Sequence, residues 1–272
     1  METGAFNRQW ESATAADRMT DRIHAEVKSM VNNSRLVRRS DHLSLVKRDE
    51  LEIGELLGRG AFSEVHQVRI KNRGETTYAM KHLKGKLLTQ ADNFRLAAAE
   101  LAVEAHMLAS FDHPNVMKIR GWAANGVASF TDGRHDSFFL LLDRLDETLD
   151  QRIEKWRQSP PPPTVQNMNT TGNIVTDIWR RISAVPAEDS LLCPTTIEKI
   201  GVAVEIAAAL AYLHNIGVIF RDLKPNNIGF LNGRVQLFDF GLSRELPQLN
   251  LDEPFEMSGK VVSALLLHLR VT

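Results

Sequence analysis

The sequence predicts an α+β fold in two lobes, the first rich in strands and the second helical. Three observations carry this reading. Apolar residues from Leu51 to His82 fall in short runs around Gly58 and Gly60, as strands joined by a tight turn require. Ala91 to Phe111 is rich in Ala, Leu and Glu and repeats its apolar residues at the 3.6-residue helical period. Thr195 to His214 carries an apolar stripe of Ile197, Ile200, Val204, Ala207, Ala208, Leu210 and Ala211, the mark of a second long helix.

Residues 1 to about 48 read as a polar N-terminal extension, partly disordered. Ile23, Val27, Met30 and Val31 have helical spacing, so a short amphipathic helix is an alternative within it. Arg35 and Arg38-Arg39-Ser40 form a small basic run, either a solvated tail or a phosphorylation or docking site. The first lobe spans 49–142. In it, Leu51, Ile53, Leu56 and Leu57 lead into Gly58, and Val65, Val68 and Ile70 follow, giving strand, glycine turn and strand. Thr76 to His82 is a further strand. The helix of 91–111 ends at Asp112-His113-Pro114-Asn115, because proline disfavours helical backbone before it. Val116 to Trp122 and Phe138 to Leu142 complete the strands.

The second lobe spans 143–260 and holds an insertion at about 158–194. Pro160 to Pro163 cannot enter a helix or sheet interior and favours extended polyproline backbone. The insertion reads as a flexible surface loop with one short helix at Ile174 to Ile182; a ligand for a proline-binding module is the alternative. Asn215-Ile216-Gly217 stops the second long helix, and Val218 to Phe220 and Val235 to Phe238 are short strands.

Composition narrows the function classes. Of 272 residues, 43% are hydrophobic and 25% charged, as in ordinary globular domains. The net charge of −1 offers no basic field for nucleic acid. The single cysteine, Cys193, excludes an internal disulfide, fits a reducing compartment and reads as an inert thiol. Asp17, Arg18, Asp21 and Arg22 interrupt any N-terminal signal region. The late apolar run Val261 to Leu269 is far shorter than the roughly 20 residues of a membrane helix. The expectation is a cytoplasmic protein without membrane insertion, the nucleus remaining open.

Four stretches carry chemistry that handles phosphate. Gly58-Arg59-Gly60-Ala61-Phe62-Ser63-Glu64-Val65 lies between strands, where glycines let backbone N–H groups approach phosphate oxygens; an ordinary hairpin is the competing reading. Lys81 follows Ala79 at strand spacing, so Ala79 and Val65 would line one small apolar pocket suited to a flat heterocycle, with Lys81 reaching phosphates. A phosphate-binding lysine needs a carboxylate to hold it. Glu100 and Glu104, four residues apart on one helix face, are the candidates. Arg221-Asp222-Leu223-Lys224-Pro225-Asn226-Asn227 offers a proton-accepting carboxylate in Asp222, a charge-neutralising cation in Lys224 and a metal ligand in Asn227. Asp239-Phe240-Gly241, twelve residues on, offers the second metal ligand in Asp239.

In order and approximate spacing these stretches resemble the eukaryotic protein kinase family, over residues from about 50 to about 260. Asp-Leu-Lys-Pro-Asn-Asn resembles the serine/threonine branch. The resemblance implies a protein-kinase-like two-lobe fold, a β-rich N-lobe with one regulatory helix, and ATP and Mg2+ between the lobes. It implies Gly58, Gly60, Ser63, Val65, Ala79 and Lys81 as nucleotide contacts and favours Glu104 as the partner of Lys81. It places Leu142 behind the nucleotide, and Asp143, Arg144 and Leu145 as the hinge. Asp222 would orient the substrate hydroxyl of a protein whose identity the sequence leaves unknown. A non-catalytic ATP-binding or interaction module and a small-molecule kinase are the alternatives.

The chain departs from the family pattern in three places. Ser63 stands for the third glycine. Phe220 stands for the usual histidine and is expected to keep its packing on Phe240. After Glu256-Met257-Ser258-Gly259-Lys260 no Ala-Pro-Glu signature follows, and residues 261–272 form a non-family tail. The expectation is an incomplete helical C-lobe, truncated within the activation segment, with an apolar face of Thr195 to His214 left uncovered. Arg221 before Asp222 suggests regulation by phosphorylation of the following segment, with Ser258 and Ser263 as candidates.

Overall fold

The computed structural model describes residues 13–32, 34–36, 43–158 and 194–246. The insertion with Pro160–Pro163 and Ile174–Ile182, Cys193, the Arg38-Arg39-Ser40 run, Ser258, Ser263 and the 261–272 tail lie outside the described residues. Among the described residues no helix is long and apolar enough to cross a membrane.

The first lobe is a six-stranded sheet in the order β1-β5-β6-β4-β3-β2. Its strands are β1 (Ser44–Val46), β2 (Leu51–Arg59), β3 (Ser63–Ile70), β4 (Thr77–Leu83), β5 (Ile119–Ala123) and β6 (Phe139–Asp143). β1 runs parallel to β5 and the other neighbours are antiparallel. The predicted strands all form, with ends displaced by a residue to three. β1 is an addition. Three residues give too short a pattern to read, and only Val46 is buried. The site for β1 is made by Gly121, where a Cβ would collide with the carbonyl oxygen of Ser44. Only glycine lets the two backbones approach this closely.

The register of β3 and β4 decides the chemistry. Val65 lies opposite Lys81 and Ser63 opposite Leu83. Side chains alternate faces with period two, so Ser63, Val65, Ala79 and Lys81 share one face. β6 closes the other side of β4, pairing Leu142 with Ala79 and Leu140 with Lys81.

Helix α2 (Ala91–Leu108) packs on this sheet through Phe94, Ala97, Ala98, Leu101, Ala102 and Ala105, all buried. Helix α1 (Ala13–Val31) lies on α2 and on the 3-10 turn Gly126–Asp132. Ile23, Val27 and Val31 of its expected apolar stripe are buried, but Met30 points to solvent. The inner face instead continues through Ala16 and Thr20 at spacings of three and four. The Thr20 hydroxyl is buried and makes no hydrogen bond among the described residues. Thr20→Val, which removes only that polar atom, is expected to raise the unfolding free energy by about 1 kcal/mol. A urea midpoint unchanged or lowered would show that the hydroxyl is already satisfied.

The second lobe comprises α3 (Leu149–Gln158), α4 (Pro194–Asn215), a sheet of β7 (Glu147–Thr148), β9 (Ile228–Leu231) and β10 (Arg234–Leu237), and a pair of β8 (Val218–Ile219) with β11 (Arg244–Glu245). α3 docks by placing the Arg152 guanidinium 4.1 Å from the centroid of the Phe230 ring. α4 leaves most of the expected apolar stripe uncovered, as the sequence predicts, and buries a different set of residues. Ile197, Ile200, Val204, Ala207, Ala208 and Ala211 face outward, while Ala209 and Leu213 are buried and Val202, Ile206 and Leu210 half-buried on the core side. A helix apolar all round presents two candidate stripes, and sequence spacing cannot choose between them. Glu205 settles the choice: its Oε2 accepts from Asn115 Nδ2 at 2.6 Å and from the Val235 amide at 2.8 Å.

Candidate active site

Lys81 projects from the middle of β4 toward α2, where Glu104 meets it. Lys81 Nζ lies 2.8 Å from Glu104 Oε1 and 2.7 Å from Glu104 Oε2. Glu100, one turn earlier on the helix, is exposed. The same ammonium donates to Asp239 Oδ1 at 2.7 Å. Asp239 reaches it because its backbone is left-handed, with φ 63° and ψ 72°. That is a strained conformation for a side chain other than glycine. It turns the carboxylate to Lys81 and sends Phe240 the other way, into the core. The Phe240 amide then donates to Glu104 Oε1 at 3.2 Å, closing the ring of contacts.

The charges follow from this geometry. Burial alone would lower the Lys81 pKa, but the charges of Glu104 and Asp239 reverse it and hold the ammonium well above its ordinary value. Burial pushes the Glu104 carboxyl up, with Lys81 opposing. Burial also opposes ionisation of Asp239, but the adjacent Lys81 charge and hydrogen bond win and hold it below the usual carboxylate range. Two carboxylates share one ammonium, so the cluster favours a further cation. The Asp239 side chain, 42% exposed, opens toward solvent where such an ion could arrive.

Asp222, Lys224 and Asn227 form a second cluster on the loop between β8 and β9. Asp222 Oδ2 accepts from Lys224 Nζ and from Asn227 Nδ2, each at 2.7 Å. Asn227 Nδ2 also donates to the Asp222 carbonyl at 3.0 Å. Arg221 has a positive φ of 68°, the other strained bend of the site. The two clusters are tied through the backbone, because the Phe238 amide donates to the Asn227 carbonyl at 3.1 Å.

Phe240 is buried between two rings. Its centroid lies 4.9 Å from Phe220 at 68° and 5.0 Å from Phe111 at 51°. Phe220 keeps the packing expected of it, and Ser243 Oγ donates to the Phe220 carbonyl at 3.0 Å. Over the site, Gly60 N donates to the Ser63 carbonyl at 2.9 Å to close the glycine turn. A Cβ on Gly60 would come within 2.9 Å of Ser63 Oγ, so a side chain there would displace the Ser63 hydroxyl. Gly58 faces open space.

At the expected hinge, Asp143 engages Arg120 in a bidentate pair at 2.7 and 2.8 Å. Its carboxylate is therefore occupied, and the hinge has backbone groups to offer. Arg144 pairs with Glu55 of β2 at 3.7 Å. Leu145 lies over Gly229, where a Cβ would collide with it. Sequence reasoning missed Gly229, Arg120, Phe111 and Lys84. Lys84 hydrogen-bonds the Gly60 carbonyl and holds the glycine turn down on β4. A basic residue three beyond Lys81 was the visible signal for it. Arg120 and Gly229 gave none, since their roles exist only across strands.

A strand lysine clasped by a helix glutamate, over a loop carrying Asp222 and Asn227 and a turn carrying Asp239, defines the protein kinase class. Comparison agrees: the protein kinase domain family matches residues 51–260. The chain belongs to the protein kinase family, on its serine/threonine side. It is 28% identical over 199 residues to ribosomal protein S6 kinase alpha-1 of Mus musculus, covering 72% of this chain and 21% of that protein. It is 30% identical over 200 residues to a putative ribosomal protein S6 kinase alpha-1 of Caenorhabditis elegans, covering 72% and 19%. It is 26% identical over 206 residues to serine/threonine-protein kinase AtPK1/AtPK6 of Arabidopsis thaliana, covering 74% and 33%. The chain thus spans about a fifth to a third of the length of these relatives.

Proposed function

We propose that this chain transfers the γ-phosphoryl group of ATP to serine and threonine hydroxyls of proteins. The observation that carries the reading is the position of Lys81 Nζ between Glu104 and Asp239, 2.7–2.8 Å from both. Glu104 fixes Lys81, which holds the α- and β-phosphates. Gly58, Gly60 and Ser63 cover the phosphates with backbone donors, and Val65 and Ala79 flank the base, which pairs with the backbone at Asp143 and Leu145. Asp222 orients the attacking hydroxyl and accepts its proton, and Lys224 offsets charge on the group in transit.

The donor set suits Mg2+. Asn227 spends Nδ2 on Asp222, which turns its carbonyl oxygen the other way, and Asp239 is an ionised carboxylate beside a cluster with excess negative charge. These two residues would hold the ion, which neutralises the β- and γ-phosphate oxygens when bound.

The test is transfer from γ-labelled ATP to a generic protein substrate with Mg2+, followed by phosphoamino-acid analysis. Label on serine and threonine is expected from the parent chain, and background from Asp222→Ala. Equal label with both chains would remove Asp222 from its role. A second reading, a non-catalytic interaction module, is favoured by the outward apolar row Ile197, Ile200 and Val204. ATP binding without any transfer would support it.

A further inference from the structure

Helix α1 and the residues after it take no part in the chemistry above, yet they touch the elements on both sides of it. The inner face of α1 covers α2, the helix that carries Glu104, and Glu26 forms an ion pair with Arg95 of α2. Beyond α1, the Arg35 amide donates to Glu245 Oε1 at 2.7 Å and its guanidinium to the Leu246 carbonyl at 2.6 Å. Glu245 ends β11, the strand that leads away from Asp239-Phe240-Gly241, and Leu246 follows it. That strand pairs with β8, which leads into Phe220-Arg221-Asp222. Four residue steps separate Val31 from Arg35, a reach of at most roughly 14 Å. The two grips are therefore mechanically linked.

α2 needs such help. Ala97, Ala98, Ala99, Ala102 and Ala105 make up much of its buried face. Alanine buries little area per residue, so over these positions α2 gains much of its burial from the cover that α1 supplies. Its pairing with Lys81 depends on position to within a hydrogen bond's length.

We propose that residues 13–36 are an intramolecular strap that positions α2, holding Glu104 on Lys81 from the same chain. Ile23, Glu26 and Arg35 are positioning residues in this account, acting through α2 and β11 and not on substrate. The proposal rests on the assignment of Lys81 and Glu104 above. Detaching the strap would let α2 swing and leave only a fraction of molecules competent for nucleotide, weakening apparent affinity by that fraction.

The experiment is amide hydrogen exchange, with MgATP titration, on the full chain. Ile23→Asp puts a charge into the buried face of α1. Exchange over Ala97–Leu108 of α2 is expected to rise roughly tenfold or more, with β9 and β10 unchanged, because the opening is local. Apparent MgATP Kd is expected to rise about tenfold as the competent fraction falls. Should Ile23→Asp open β9 and β10 as well, the charge pair decides. Glu26→Arg should raise α2 exchange, and Glu26→Arg with Arg95→Glu should restore it. Fast exchange in α1 with α2 protection and MgATP affinity unchanged would overturn the proposal, as would failure of the reversed pair to restore α2. A strap effect in exchange, with no phosphoryl transfer by any form, supports the strap and counts against the catalytic reading alone.

Discussion

Lys81→Met is expected to cut phosphoryl transfer by roughly a hundredfold or more, the scale seen when one preorganised electrostatic donor is removed. Methionine keeps most of the volume of lysine but not the ammonium. The larger consequence is for what remains. Glu104, 3% exposed at its side chain, would face Asp239 with no counter-charge between them. Removing one partner of a buried pair costs about 3–5 kcal/mol, because the other charge stays buried and unpaired. Glu104 would answer by holding its proton. Burial already raises its carboxyl, and Lys81 is what opposes that. A carboxyl whose folded pKa lies above its ordinary 4.5 binds more protons folded than unfolded. Stability then falls as pH rises through the interval between the two values. Lys81→Met should therefore be closer to the parent in stability at pH 5 than at pH 7. Urea midpoints at the two pH values check this. Lys81→Met with Glu104→Leu should regain stability without regaining transfer, since a fully apolar pair leaves no stranded charge. A double variant no more stable than Lys81→Met would show that Glu104 is not the group stranded.

The legibility of this site in the sequence followed the physics of each element. Lys81, Ala79 and Val65 were readable as a single face because strand period two is rigid. Helix period alone left Glu100 and Glu104 open, since residues four apart share a face, and only the family resemblance favoured Glu104. The choice is set by where α2 crosses the sheet, which buries Glu104 and leaves Glu100 outside. The apolar stripe of α4 lies uncovered as expected, but the face that α4 buries was not readable, for a related reason. Its apolar residues surround the helix, and the decision falls to Glu205, whose partners Asn115 and Val235 lie far away in sequence. β1 escaped because its only requirement, a missing Cβ at Gly121, sits in another strand. Local period and turn chemistry were legible, and crossing angles and close approaches were not.

Phe240→Ala is expected to destabilise the fold by about 3–5 kcal/mol, the range for losing a buried aromatic ring. Phe240 is 1% exposed, and its ring joins Phe111, just beyond α2, to Phe220, at the start of the loop that carries Asp222. The ring therefore bridges the two lobes beside the Lys81–Glu104 pair. Its loss leaves a cavity that these neighbours can fill only by moving, and the Phe240 amide would no longer be held toward Glu104. Phe220 sharpens the test. It meets Phe240 edge to face, an arrangement worth about 0.5–1.5 kcal/mol beyond simple burial. Phe220→Ala and Phe240→Ala should accordingly be non-additive by about that amount in urea denaturation, because each single change already removes the shared contact. Phe220→His keeps a ring of similar reach but buries ring nitrogens where Phe220 is wholly enclosed, so it should be less stable than the parent chain. Additive losses from the two alanine variants would mean that the rings pack independently. The coupling between the Asp222 loop and α2 would then have to run through Glu104 and the Phe240 backbone alone.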